Sequence, residues 1–112
     1  MRSLVLALFL VVLPVSAAPP SPACVDRVVN AIYVIEGGPR ARHPYGILSV
    51  PVRDAAHARV VCARTVRNTW VRWEAAGRPG DYLTFLANRY CPPQADPVGN
   101  RNWIKNIHAY VK

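Results

Sequence analysis

Apolar residues recur at helical spacing in four separate stretches of this chain. Val25, Val28, Val29, Ile32 and Ile35 predict an amphipathic helix over residues 25 to 36. Gly37 suits the left-handed residue that ends a helix, and Gly38-Pro39 prevents continuation. Asp54 reads as the N-cap of the longest helix, residues 55 to 76, with Ala58, Cys62, Thr65, Val66, Thr69 and Trp73 on one stripe. Gly77 and the turn Arg78-Pro79-Gly80 end it. Asp81 caps a third helix from Tyr82 to Tyr90, which buries Leu83, Leu86, Ala87 and Tyr90 and stops at Cys91-Pro92-Pro93. Residues 94 to 100 read as a loop, and a last helix is expected from about Arg101, burying Trp103, Ile107, Tyr110 and Val111.

Between the first two helices the helical period is lost. In residues 40 to 53, Ile47, Val50 and Val52 are interrupted by Pro44, Gly46 and Pro51, which predicts a short extended or irregular hairpin segment. The fold class expected is therefore mainly α, about four helices with one extended excursion.

The chain opens on Arg2, then LVLALFLVVLPV, then SAAPPSPA. A basic start, about a dozen apolar residues and a small-residue stretch predict a signal peptide over residues 1 to 18. The apolar run is too short to span a bilayer, and Ser21-Pro22-Ala23 before Cys24 lacks the leucine of a lipoprotein signal. Residues 19 to 24 then read as a short linker and 25 to 112 as one helical domain. No transmembrane helix is expected in the mature form, which is expected to be a monomer, periplasmic or secreted. Export permits disulfides. Cys62 and Cys91 are expected to pair, a staple of roughly 3 kcal/mol for a loop of this length. Cys24 is left over, either free or competing for a partner.

Formal net charge is +8, and twelve of the fourteen basic residues are arginine. In an exported protein this favours anionic envelope polymers over nucleic acid. The alternative is that arginine abundance reflects the base composition of the gene.

Glu36 is the one residue with a chemical signature. It follows Ile32 by four and Val29 by seven, so its carboxyl group continues the buried stripe. A helix C-terminus and apolar neighbours both disfavour an ionised carboxylate, the condition a general acid needs. The alternative is a solvated glutamate paired with Arg40 or Arg42. His43 has no second histidine or cysteine at metal-ligand spacing, so no metal site is expected.

These pieces, in this order, resemble the lysozyme-like superfamily, in its lytic transglycosylase and goose-type branch. The likeness rests on a helix that closes on Glu36 within AIYVIEGG at 31 to 38, YGIL at 45 to 48, TVRN at 65 to 68, RYCP at 89 to 92 and NRNW at 100 to 103. It spans about residues 25 to 111. The family's Gly-Leu-Met-Gln run corresponds to Gly46-Ile47-Leu48-Ser49, and Gly37 stands where the family has serine. The resemblance implies a small lysozyme-like domain that cleaves peptidoglycan or a related amino-sugar glycan without a cofactor. It implies Glu36 as the catalytic acid and then base, Tyr45 and Tyr90 placing Glu36 or the substrate's acetamido group, and the Gly46 to Ser49 backbone bonding the glycan. Asn100, Asn102 and Trp103 would add polar contacts and a stacking face. Their alternatives are structural: Tyr90 and Trp103 in the core, Asn100 and Asn102 capping the last helix. A second carboxylate is not evident, Asp54 being the alternative, so a one-carboxylate mechanism fits best. The alternative function is a non-catalytic, cationic wall-binding domain on a degenerate scaffold of the same kind.

Overall fold

The computed structural model describes residues 20 to 112; the signal peptide expected at 1 to 18 lies outside the described residues. Four helices follow one another: α1 (Pro22–Ile35), α2 (Ala55–Ala75), α3 (Tyr82–Tyr90) and α4 (Pro97–Tyr110). Two 3-10 turns, Gly38–Arg40 and Pro44–Gly46, join α1 to α2. The protein is mainly helical, and no strand occurs among the described residues. Two prolines and three glycines within residues 37 to 46 favour such tight turns over ladder pairing, and the chain from Ile47 to Asp54 runs irregularly.

Each helix starts on a side-chain cap. Ser21 accepts from the Cys24 N–H at 3.1 Å, Asp54 from His57 at 2.8 Å, Asp81 from Thr84 at 3.2 Å and Asp96 from Gly99 at 2.8 Å. These satisfy N–H groups that have no partner within the helix. Two starts come earlier than the apolar pattern alone predicts. α1 begins at Pro22, three residues ahead of Val25, and α4 at Pro97, four ahead of Arg101. In both, proline occupies the first turn directly after a capping side chain, where its fixed φ and missing N–H cost nothing.

Val29, Ile32, Ala58, Cys62, Leu86 and Ile107 are wholly buried where the four helices meet. α1 packs on α2 and α4, and α3 bridges α2 and α4. Each large aliphatic side chain so buried contributes about 2 kcal/mol. A second aromatic cluster closes the far end of α2. There Trp70, Trp73 and Tyr82 pack with ring centroids 4.9 to 5.8 Å apart, and the Tyr82 hydroxyl donates to the Val66 carbonyl at 2.7 Å.

The expected Cys62–Cys91 disulfide does not form; all three cysteines are free thiols. The reason is angular. Tyr90, one residue before Cys91, places its hydroxyl 3.4 Å from the Cys62 sulfur. Cys91 follows as the C-cap with φ at -142°, outside the helical turn that brings Tyr90 to Cys62.

Candidate active site

Glu36 is the C-cap of α1, and Gly37 takes the left-handed conformation after it, with φ at 111°. The carboxylate is half-buried and does not pair with Arg40 or Arg42, whose side chains are exposed. Its partner comes from the far end of the chain: the Trp103 indole N–H donates to Oε2 at 2.8 Å. Trp103 is 6% exposed and its ring stacks on Tyr90, centroids 5.0 Å apart and planes 17° from parallel. A continuous chain of contacts therefore runs from Glu36 through Trp103 and Tyr90 to Cys62. Burial pushes the Cys62 thiol up to about 11, and burial likewise drives the Tyr90 hydroxyl far above its ordinary range. Both groups are neutral spacers at physiological pH.

The other carboxylate oxygen, Oε1, lies against Gly46. A methyl group built there would sit 2.5 Å from Oε1, so only a residue without a side chain leaves room for the acid. Gly46 and the residue before it both have left-handed backbones, φ being 61° at Tyr45 and 67° at Gly46. For tyrosine that conformation costs about 1–2 kcal/mol. Three contacts hold it: the ring is 5% exposed, packs on Tyr33 at 5.2 Å, and its hydroxyl accepts from Arg59 at 3.4 Å.

Beyond Gly46 a groove of about 370 Å³ opens, lined by Gly46, Ile47, Leu48, Ser49, Val61, Thr65, Arg89 and Tyr90. Glu36 stands behind this lining, touching Gly46 directly and Tyr90 through Trp103.

The predicted site residues thus divide. Glu36, Gly46, Ser49, Tyr90 and Trp103 gather at or beside the groove, with Trp103 serving as a hydrogen-bond donor to Glu36 and not as an open stacking face. Tyr45 turns its ring inward and shapes the backbone next to Glu36. Asn100 is 5% exposed and gives its amide to the Asn88 side chain at 2.9 Å and the Cys91 carbonyl at 2.8 Å, tying α3 to α4. Asn102 is exposed on the second turn of α4. Val61, Thr65 and Arg89 are groove residues that sequence reasoning missed. Their signal was faint: Val61 lies beside the buried stripe of α2, and Thr65, expected on that stripe, is only half-buried and lines the groove.

The chain has six acidic residues, and five have structural partners. Asp54, Asp81 and Asp96 cap helices, Asp26 pairs with Arg59 at 3.4 Å, and Glu74 pairs with Arg78 at 2.6 Å. Glu36 alone among the described residues is neither a side-chain cap nor an ion-pair partner. Among the described residues no three His, Cys, Asp or Glu side chains gather as a metal site, and no helix is long and apolar enough to cross a membrane. No protein-family model, curated protein or solved structure matches the chain.

Proposed function

We propose that this chain cleaves peptidoglycan or a related amino-sugar glycan outside the cytoplasm, as a lytic transglycosylase of the lysozyme-like kind with Glu36 as its one catalytic carboxyl group. The observation that carries the reading is the isolation of Glu36. Among the described residues it is the only acid free of capping and pairing, and it is fixed between an indole donor and Gly46, a residue that lines the groove. Trp103 occupies Oε2, which leaves Oε1 to carry the acid proton. Glu36 gives that proton to the glycosidic oxygen as the bond from C1 to the leaving sugar breaks, and the substrate's acetamido oxygen stabilises the cation left at C1. The carboxylate then takes the proton of the same sugar's 6-hydroxyl, whose oxygen closes onto C1. The product is a 1,6-anhydro sugar, and no water is consumed. A hydrolytic pair of carboxylates would need a second acid about 5–10 Å away, and the other five acids are committed elsewhere. The backbone of residues 46 to 49 offers the strand hydrogen bonds from one wall, with Arg89 and Tyr90 on the other.

Digestion of purified sacculi with mass analysis of the products is the test. Anhydromuropeptides are expected from the wild-type protein and none from Glu36→Gln, with both proteins melting at the same temperature. Salt-sensitive binding to sacculi with no sugar products, unchanged in Glu36→Gln, would overturn the enzymatic reading and leave a wall-binding domain.

A further inference from the structure

A second recess lies between α2 and α3, lined by Thr69, Arg72, Phe85, Asn88, Arg89 and Pro92 and holding about 430 Å³. Arg89 lines both this recess and the groove, so the two lie on either side of one guanidinium side chain. Thr69 is 1% exposed, and its hydroxyl has no hydrogen-bond partner among the described residues. A mid-helix threonine ordinarily bonds back to the preceding turn, and a buried hydroxyl left unpaired costs folding stability. The other polar groups at the recess are donors as well. Arg72 and Arg89 form no salt bridge among the described residues. The Asn88 side-chain oxygen accepts from the Asn100 amide, so the NH2 of Asn88 points away from that partner. No acidic residue lines the recess.

We infer that this recess is a subsite for a carboxylate carried by the glycan, so that the strand entering the groove is an acidic one. The inference rests on the reading of the groove as a glycan cleft. Two guanidinium groups supply the charge-assisted bonds that a planar oxyanion takes best, and the Thr69 hydroxyl and Asn88 amide add neutral donors. Phe85 and Pro92 give an apolar wall for the hydrocarbon between the carboxylate and its sugar.

Isothermal titration of the full chain carrying Glu36→Gln separates the two claims, because binding is read without cleavage. The ligands are a peptide-free tetrasaccharide of alternating N-acetylglucosamine and N-acetylmuramic acid, and chitotetraose, which has the same backbone and no carboxylate. The carboxylated ligand should bind about tenfold more tightly. Arg72→Gln should erase that preference and leave chitotetraose affinity unchanged. Thr69→Val should weaken only the carboxylated ligand while raising the thermal midpoint, a pairing that a purely structural hydroxyl would not give. Equal affinity for the two ligands, or equal losses on Arg72→Gln, would overturn the subsite and spare the cleft. Binding of neither would overturn both. Tight, selective binding beside inactive wild-type protein would overturn only the catalysis.

Discussion

Gly46 carries more of the candidate site than its size suggests. It combines a left-handed backbone with direct contact on Oε1 of Glu36. Gly46→Ala is therefore expected to cost about 1–3 kcal/mol in urea denaturation and to lower glycan cleavage further than that loss explains, by pushing the carboxylate aside. The thiols make a second residue-level expectation. The Ser21 side chain, with Arg27 beside it, holds the Cys24 thiol below its ordinary range, whereas burial raises Cys62. A thiol reagent at pH 7 should label Cys24 first, reach Cys62 only in denaturant, and count three thiols without reductant. At this scale the sequence was readable where a residue acts through its neighbours in the chain. Glu36 before Gly37 could be seen, because a helix end is a local event. Trp103 as its donor could not, since 67 residues separate them and only packing of α1 on α4 brings them together. The cysteine pairing went wrong for the same reason: both positions were placed on the right elements, but the rotation of α3 decides which side chain faces α2.

Among the elements, the tie between α3 and α4 is set by pH. The Nε2 of His108, in the last turn of α4, lies 2.7 Å from the Asp81 carboxylate that caps α3. The Ile104 carbonyl at its other ring nitrogen, then Asp81, raise the His108 pKa above its ordinary 6.5. Burial pushes Asp81 upward, but Thr84 and His108 together outweigh it and leave the carboxyl below its ordinary 3.8. The histidine's contribution is full below pH 6.5 and fades as pH rises through its higher folded value. The aspartate's is present above 3.8 and fades as pH falls through its lower folded value. Their shared window is about pH 4 to 6.5. Thermal melts of wild type and His108→Gln should differ most near pH 5.5 and converge by about pH 9. Helix identities were legible at this scale because apolar spacing and Asp caps agree for α2 and α3. The starts of α1 and α4 were not, since their first turns bury little and are declared only by a cap followed by proline.

For the whole molecule, charge and acid use belong together. With three of the six acids capping helices and two more in ion pairs, little negative charge is left to screen a net +8. Arg27, Arg40, Arg42, Arg53, Arg64, Arg67, Arg72, Arg89 and Arg101 are all exposed. Raising salt from about 0.01 M to about 0.15 M shortens the Debye length from about 30 to about 8 Å. Binding of the Glu36→Gln protein to sacculi should weaken severalfold over that range in a sedimentation assay, while the residual affinity at high salt reports groove contacts. The four-helix plan and the basic surface could both be read from the chain. The groove could not, since Ser49, Thr65 and Arg89 meet only after the turns at 38 to 46 have redirected the backbone.

The indole bond to Glu36 also makes the protein its own spectroscopic reporter. Among the described residues the buried Trp70 and Trp73 N–H groups have no hydrogen-bond partner, so phenylalanine at both positions leaves a single emitter. Fluorescence from Trp103 alone would then change colour and yield as its carboxylate neighbour gains a proton or meets a sugar, turning the acid's protonation into light that can be followed in real time.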